Sequence, residues 1–224
     1  MFKTEKELVV QITRNLEDPT CIESLFDKKL ESKVFEELNL GYGIPDIVVV
    51  QYKDKDRIGN RKNFLNYFDI SVLDLIERED NVSVDDIVLL TRSAKNKIVE
   101  TLSLLQNEKF IICREGKYFS HERYAEALED SIAIEAKLKN WKRALQQAYR
   151  YKWFSNKAYV ILPNSALNPA LDNLHLFQRY GVGLASINDS DGLEVHYKAK
   201  ETPPYSERMA KLLNEHLLID LGSE

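Results

Sequence analysis

The chain of 224 residues predicts a mixed α/β fold that is interrupted by a separate module. Outside residues 64–122, the predicted elements run helix, strand, strand, strand, helix, strand, helix, strand, an order typical of a sheet covered by helices. Apolar runs at 47–50 and 131–138 predict two buried strands of that sheet. Residues 64–122 instead predict three helices and a hairpin. We therefore expect a discontinuous core, residues 1–63 and 123–224, around an inserted domain.

The first helix is predicted at residues 4–16, with Thr4 as its N-cap. A rotation of about 100° per residue gives this helix one apolar stripe. Glu5 falls on that stripe, whereas Glu7 falls on the opposite face. A core-facing Glu needs a partner, so Glu5 is either a site residue or a first-turn acid favoured by the helix dipole. The stripe consists of Leu8, Val9, Ile12 and Leu16.

Residues 33–52 predict two strands in a tight hairpin, because Gly41 and Gly43 mark a bend between them. Asp46 follows Pro45 and stands at the mouth of the second strand. A polar residue at the end of a buried strand is typical of an active site, but Asp is also a common turn residue. Both interpretations stay open from this segment alone.

Residues 131–138, SIAIEAKL, place an acid and a base in an apolar strand. Side chains two residues apart share a face of a strand, so Glu135 and Lys137 are expected to project together. The apolar side chains at the alternate positions project the other way. A carboxylate and an ammonium side by side on a buried strand are costly unless they have a use.

A helix predicted at about 141–152 follows that strand, and its surroundings are basic in a chain whose net charge is −5. No acid occurs between Ala136 and Lys157, and aromatic residues are interleaved there. This pattern suits a polyphosphate backbone; the alternative is an amphipathic helix whose solvent face is basic. The basic residues are Lys137, Lys139, Lys142, Arg143, Arg150, Lys152 and Lys157. The predicted DNA contacts among them are Lys139, Lys142, Arg143 and Arg150.

The inserted module has the pattern of a winged helix-turn-helix, three short helices and then a hairpin. Ser83 and Ser93 are the predicted N-caps of its second and third helices. Such modules contact DNA with the third helix and the wing, but many serve protein contacts instead, and Asp85 and Asp86 weaken the case for DNA. The predicted DNA contacts are Arg92, Lys95, Asn96 and Lys97 on the third helix and Arg114 and Lys117 on the wing.

The remaining predicted elements complete the core. Residues 53–63 are polar and rich in turn formers, which predicts a linker before the inserted module. The other elements are a short helix at 123–130, a strand at 157–163, a helix at 169–180, a strand at 182–187 and a helix at 206–218.

Taken together, these residues resemble the PD-(D/E)xK nuclease superfamily. Pro45 and Asp46 match its PD element, and Glu135 and Lys137 match its ExK element. Glu135 follows Asp46 by 89 residues, a spacing longer than the usual few tens, and the inserted module accounts for the excess. The resemblance implies a restriction-endonuclease-like fold: a mixed central sheet flanked by helices, with a winged helix inserted between the two catalytic strands.

Three further residues resemble positions of that superfamily. Gln147 and Tyr151 match the QhxxY signature of its exonuclease-like branch, in which they orient the active-site Lys and the phosphate. Glu5 is similar to the first-helix Glu of archaeal-type Holliday-junction resolvases. The resemblance implies that Glu5 supports a second metal or a water.

The chemistry implied is Mg²⁺-dependent hydrolysis of DNA phosphodiesters, with Mn²⁺ as a substitute. Two carboxylates from adjacent strands, Asp46 and Glu135, can share a hard cation. The cation lowers the pKa of a bound water and neutralises charge on a phosphoryl oxygen. Lys137, with a pKa depressed by burial, is expected to act on that water.

The expected partners are duplex or structured DNA, a second copy of the chain, and a protein that binds the winged helix. The alternatives to a nuclease are a catalytically silent DNA-binding protein on the same scaffold and a protein-interaction module. The charged N-terminal segment and the lack of a long apolar run predict a cytoplasmic protein without a membrane span. Cys21 and Cys113 have no metal-like spacing and predict no disulfide framework.

Overall fold

The computed structural model describes residues 2–18, 25–26, 30–53, 62–188 and 192–222. The chain divides into two compact units. The first comprises Met1–Lys53 and Leu128–Glu207, and the second comprises Asp54–Ala127 and Arg208–Glu224. Cys21 and most of the predicted linker lie outside the described residues, whereas Cys113 is exposed.

The helices and strands follow one another closely along the chain. The helices are α1 (Glu5–Leu16), α2 (Tyr67–Glu79), α3 (Val84–Thr91), α4 (Lys95–Asn107), α5 (Trp141–Tyr151), α6 (Asn168–Leu171), α7 (Leu174–Tyr180) and α8 (Glu207–Gly222). The strands are β1 (Glu31–Glu36), β2 (Ile47–Tyr52), β3 (Val82–Ser83), β4 (Ile111–Arg114), β5 (Lys117–Ser120), β6 (Leu128–Ala136), β7 (Lys157–Pro163), β8 (Gly183–Ile187) and β9 (Glu194–Tyr197).

The first unit is built on a six-stranded sheet in the order β1-β2-β6-β7-β8-β9. Strand β6 pairs antiparallel with β2 and parallel with β7, and β7 pairs parallel with β8. The two edge strands, β1 and β9, are antiparallel to their neighbours. The predicted mixed α/β class is therefore confirmed.

Side chains along β6 alternate between the two faces of the sheet, so its isoleucines lie on one face and Glu135 on the other. Ile132 and Ile134 belong to a buried cluster that includes Leu8 and Ile12 of α1. This is the face predicted for them, and it is the face that the stripe of α1 covers. Glu135 belongs to the alternate set of side chains and contacts α5 instead.

The second unit consists of α2, α3 and α4 with a three-stranded antiparallel sheet in the order β3-β5-β4. Ser83 and Asp86 form a capping box at the start of α3, so the predicted cap at Ser83 is confirmed. The predicted cap at Ser93 is wrong, because α4 begins after Ala94 and has no side-chain cap. The hydroxyl of Ser93 donates to the carbonyl of Thr91 instead.

Several predicted boundaries differ from the structure. The β1–β2 connection spans residues 37–46, so the hairpin is not tight. Residues 123–127 form no helix, and the predicted helix at 169–180 is divided between α6 and α7. Strand β9 was not expected, because its four residues contain no apolar run.

Helix α8 belongs mostly to the second unit, although the sequence analysis assigned it to the core. Its buried polar residues explain the difference. Asn214 Oδ1 accepts a hydrogen bond from the Ala127 N–H at 2.9 Å. Glu215 accepts one from the Leu65 N–H at 2.8 Å and one from the Tyr124 hydroxyl at 2.8 Å.

Candidate active site

The antiparallel pairing of β2 with β6 brings Asp46 next to Glu135. Ile47 of β2 pairs with Ile134 of β6. Because the two strands are antiparallel, Asp46, which precedes Ile47, lies opposite Glu135, which follows Ile134. Asp46 Oδ2 accepts a hydrogen bond from the Ala136 N–H at 2.7 Å. Two carboxylates that are 89 residues apart in the sequence thus meet at one end of a strand pair.

The carboxylate of Glu135 is held between two donors. Its side chain is 1% exposed, and Lys137 Nζ lies 3.0 Å from Oε1. Its second oxygen, Oε2, accepts a hydrogen bond from the Tyr151 hydroxyl of α5. The Tyr151 oxygen also lies 3.2 Å from the carbonyl oxygen of Ile44. Both oxygens of a buried carboxylate are therefore satisfied.

Lys137 lies between two carboxylates from different elements. Its Nζ is 3.0 Å from Glu5 Oε2 as well as 3.0 Å from Glu135 Oε1. Glu5 reaches this position because it occupies the first turn of α1, on the stripe that packs against the sheet. The structure therefore brings together Glu5, Asp46, Glu135 and Lys137, which the sequence analysis had predicted as one site.

Burial raises the pKa of both Asp46 and Glu135 above the usual range of carboxyl groups. The charge of Asp46 raises the pKa of Glu135 further, because two nearby anions repel each other. The hydrogen bond from Tyr151 and the charge of Lys137 only partly offset these effects. Asp46 and Glu135 therefore ionise less readily than exposed carboxyl groups do, because the positive charge near them is too small to offset their burial.

The predicted depression of the Lys137 pKa is wrong. Desolvation does lower the pKa of this ammonium, but its hydrogen bonds and charge interactions with Glu135, Glu5 and Asp46 outweigh that effect and raise it. Lys137 is therefore a cation at neutral pH, suited to hold charge and orient a ligand.

Gln147 lies on α5, one turn before Tyr151, so the two residues share a face of the helix. Its Oε1 atom is buried and has no hydrogen-bond partner among the described residues. A buried carbonyl oxygen without a donor is uncommon in folded proteins. This atom therefore marks a place where a bound water or ligand group with a hydrogen to donate would be stabilised.

Asp46 and Glu135 fit a hard divalent cation. The described parts of the chain contain no group of three or more His, Cys, Asp or Glu side chains arranged to hold a metal ion. Mg²⁺, however, is commonly held by one or two carboxylates together with waters and substrate phosphates. The raised pKa values of the two carboxyls fit such an ion too, because a nearby cation favours their ionised forms.

The basic segment around α5 divides into exposed and buried residues. Two of its predicted members are not available to a partner: Lys152 is 1% exposed and Lys157 is 3% exposed. Lys157 Nζ forms a buried ion pair with Asp130 Oδ2 at 2.8 Å. Lys137 belongs to the site described above, and the other four residues are exposed on the surface: Lys139, Lys142, Arg143 and Arg150.

In the second unit, several predicted DNA contacts are already engaged. Lys95 Nζ lies 2.9 Å from Asp85 Oδ1, and Lys117 Nζ lies 3.4 Å from Asp86 Oδ2. Lys97 Nζ lies 3.8 Å from the centre of the Phe68 ring. Arg92, Asn96 and Arg114 are exposed.

Gly43 supports the site, although the sequence analysis treated it only as a turn residue. A Cβ atom at this position would lie 2.9 Å from Cε1 of Tyr151. The next residue, Ile44, supplies the carbonyl near the Tyr151 hydroxyl. The signal in the sequence was a glycine three residues before Asp46, but the fold decides which ring that glycine accommodates.

Comparison with known proteins gives no family for this chain: no family model, no curated protein and no solved structure matches it. Among the described helices, none is both long and apolar enough to cross a membrane.

Proposed function

We propose that this chain is a metal-dependent nuclease of the PD-(D/E)xK type that hydrolyses DNA phosphodiester bonds. The observation that carries the proposal is the position of Lys137, whose Nζ lies 3.0 Å from both Glu5 and Glu135, with Asp46 beside Glu135. These groups come from α1, from the start of β2 and from the end of β6. An acid–base cluster on otherwise apolar elements is costly for stability and is typical of a functional site.

In this proposal Asp46 and Glu135 hold Mg²⁺, which when bound activates a water and neutralises phosphate charge. Tyr151 fixes the Glu135 carboxylate through its hydroxyl. Lys137 remains protonated and orients the scissile phosphate by charge. The buried amide oxygen of Gln147 accepts a hydrogen bond from a water in the site.

A groove beside the site suits a phosphate backbone. Its volume is about 420 Å³, and it lies where β6, β7 and β8 end. Ligands of sheets with parallel strands commonly bind at the carboxyl ends of those strands. Lys3 and Lys139 supply positive charge to the groove, and Asn164 and Ser165 supply polar groups.

Cleavage of plasmid DNA and of labelled oligonucleotides in Mg²⁺ or Mn²⁺ tests the proposal. Asp46→Asn and Lys137→Met should each lower the rate by roughly 100-fold or more, since such groups contribute that much in hydrolytic enzymes. Glu7→Gln is the matched control for Glu5→Gln, because Glu7 is exposed and its carboxylate accepts a hydrogen bond from the Lys3 N–H. Equal activity of wild type, Asp46→Asn and Lys137→Met would overturn the assignment.

Metal binding is tested separately from cleavage. Mg²⁺ or Mn²⁺ should raise the melting temperature of the wild-type protein, because a ligand that binds only the folded state stabilises it. Asp46→Asn should lose most of this shift. An identical shift in wild type and in Asp46→Asn would place the ion elsewhere.

For the second unit we infer a winged helix that docks a macromolecule. The order α2, β3, α3, α4, β4, β5 and the pairing of β3 with β5 support this interpretation. DNA is one expected partner, through Arg92, Asn96 and Arg114, which are exposed.

A protein partner is the second candidate for this unit, and a specific observation favours it. Leu89 is 77% exposed, Leu90 is 55% exposed and Val99 is 50% exposed, while Lys95 is paired with Asp85. Arg92→Ala with Arg114→Ala should weaken DNA binding if the unit docks DNA. If Arg92→Ala with Arg114→Ala leaves DNA binding unchanged, and Leu89→Ser with Val99→Ser abolishes co-purification of a partner protein, the unit binds protein.

A further inference from the structure

A row of exposed aromatic side chains lies next to the candidate active site. Tyr42, Tyr149, Trp153 and Tyr180 line a groove of about 560 Å³, which we name the aromatic groove. Tyr205 extends it, with its ring centre 6.4 Å from that of Trp153. Neighbouring rings contact one another, at 4.7 Å between Tyr42 and Trp153 and at 5.1 Å between Tyr149 and Tyr180.

These rings are not core residues that happen to reach the surface. Their exposures range from 37% for Trp153 to 48% for Tyr205, so each leaves a substantial part of its ring to solvent. Large aromatic side chains gain free energy by burial, and a continuous exposed set of them is typical of a binding surface. The flat rings offer stacking area to a partner that is itself flat.

The charge of the groove indicates an anionic partner. Lys142 and Arg150 line it, no acid lines it, and neither cation forms an ion pair with a described residue. The chain segment that supplies most of the lining contains no acid between residues 136 and 157. Aromatic rings combined with cations that form no ion pair with a described acid match a single-stranded nucleic acid, in which bases stack and phosphates remain exposed.

Short chain segments on either side of Tyr151 connect the groove to the candidate site. Tyr42 is followed by Gly43 and Ile44, which contact Tyr151, and Trp153 follows Tyr151 by two residues. Tyr151 in turn bonds to Glu135. Tyr151 therefore connects the helix that carries most of the groove to the Glu135 carboxylate.

We propose that the aromatic groove binds an unpaired nucleic-acid strand, and that the substrate of this chain carries a single-stranded segment next to the cleaved bond. This inference deepens the proposed nuclease function and rests on it for the cleavage part. A blunt duplex cannot use the groove, because its bases are already stacked on one another. The stacking predicts tolerance of base sequence rather than recognition of a particular motif.

Tryptophan fluorescence tests the binding without cleavage. The chain has two tryptophans, of which Trp141 is 9% exposed and Trp153 is 37% exposed. A single-stranded oligo(dT) added in EDTA should quench the emission of Trp153, whereas a blunt hairpin duplex of equal length should quench it far less. Trp153→Phe should remove most of the quenching and leave only the small part that comes from Trp141, which also lines the groove. The affinity should stay within about threefold, since a ring remains available for stacking.

Anisotropy of a labelled oligo(dT) gives the affinities. Trp153→Ala and Tyr149→Ala should each weaken binding by about tenfold or more, in line with the contribution of one stacked base. Phe64→Ala is the matched control, because Phe64 is also 37% exposed but lies in the second unit. Unchanged affinity in Trp153→Ala and Tyr149→Ala, or equal affinity of the wild type for the blunt duplex, would overturn the inference.

Cleavage assays with Mg²⁺ separate the two proposals. If no DNA is cleaved but oligo(dT) binding depends on Trp153 and Tyr149, the nuclease proposal fails and the groove assignment stands. If a duplex with a single-stranded flap is cleaved faster than a blunt duplex, and Trp153→Ala removes that preference, both are supported. Cleavage of blunt and flapped duplexes at equal rates overturns the substrate class while leaving the nuclease assignment intact.

Discussion

At the scale of single residues, the stability of the candidate site depends on the charges of four side chains. Glu5, Asp46 and Glu135 surround one cation, Lys137, and two of these acids are at least half buried in the protein. Burial raises the pKa values of Asp46 and Glu135, so the folded protein binds protons more tightly there than the unfolded chain does. Their contribution to stability is therefore present at low pH and is lost as the pH rises through the raised pKa values.

The raised pKa values predict that the unfolding free energy depends on pH, and the substitution Glu135→Gln should reduce that dependence. Glu135→Gln cannot ionise, so its unfolding free energy should fall less than that of the wild type as the pH rises from 4 toward 8. Urea denaturation in EDTA at several pH values measures the difference. Glu7→Gln is the exposed control and should follow the wild type. Parallel curves for wild type and Glu135→Gln would contradict the expected burial penalty.

Gly43 allows a second prediction at this scale. A methyl group in Gly43→Ala would lie 2.9 Å from the Tyr151 ring and should displace its hydroxyl from Glu135. We expect a loss of about 1–3 kcal/mol in unfolding free energy, as for other overpacked sites, together with a marked loss of cleavage.

Gly41→Ala is the control for Gly43→Ala. Gly41 has φ +78° and open space around its Cβ position, so this variant carries backbone strain without any contact with Tyr151. If both variants lower cleavage equally, the effect comes from the loop as a whole and not from the ring.

At the scale of elements, β6 and β7 are joined at their beginnings by a buried ion pair. Lys157 lies 2.8 Å from Asp130, and their side chains are 4% and 9% exposed. Removing one partner leaves a buried charge without compensation. Lys157→Ala should therefore lower the unfolding free energy by about 3–5 kcal/mol.

The comparison variant for Lys157→Ala is Lys142→Ala. Lys142 is exposed on α5, and its loss should change stability by about 0.5 kcal/mol or less. Chemical denaturation of both variants measures the contrast. Similar stabilities of the two variants would mean that the Lys157–Asp130 pair contributes little.

The sequence pattern predicted elements well where one face of a helix or strand is apolar. The stripe of α1 and the alternation along β6 follow directly from period and composition. Strand β9 and the buried state of Lys157 could not be predicted in this way, because four residues are too few to show a period and a lysine is buried only when the fold supplies Asp130.

The site residues follow a similar division. The types and positions of Asp46, Glu135 and Lys137 indicated a shared site, and the β2–β6 register brings the two carboxylates together. The sign of the Lys137 pKa shift was predicted wrongly, because burial alone was considered. The opposing effect of three acids depends on distances that no sequence pattern contains.

At the scale of the whole molecule, the two units do not follow the predicted division of the chain. Helix α8 supplies Asn214 and Glu215, whose buried side chains bond within the second unit. Its amphipathic pattern was compatible with either unit. Which unit α8 joins depends on which buried N–H groups need a hydrogen-bond acceptor, and only the folded structure determines that.

The division into two units predicts which unit a single substitution in α8 destabilises. Glu215→Ala removes the acceptor for the buried N–H of Leu65, which should cost about 1–3 kcal/mol in the second unit. Hydrogen exchange should accelerate in α2 and α4 while β6 and β7 keep their protection. Glu207→Ala, an exposed change at the start of the same helix, should alter neither unit. Equal loss of protection in β6 and β7 would show that the units do not unfold separately.

The interleaving of the two units has a consequence for how the protein is made. Strand β2 ends at Tyr52 and its partner β6 begins at Leu128, so their pairing closes a loop at an entropic cost of about 4 kcal/mol. The second unit likewise waits for α8, which follows the other elements of that unit by about 80 residues of chain. A ribosome therefore carries a long stretch of chain in which β2 has no partner and Asp46 has no Glu135. We expect Asp46 and Glu135 to meet only after β2 and β6 have paired, so that a nascent chain holds the parts of the candidate site without their arrangement.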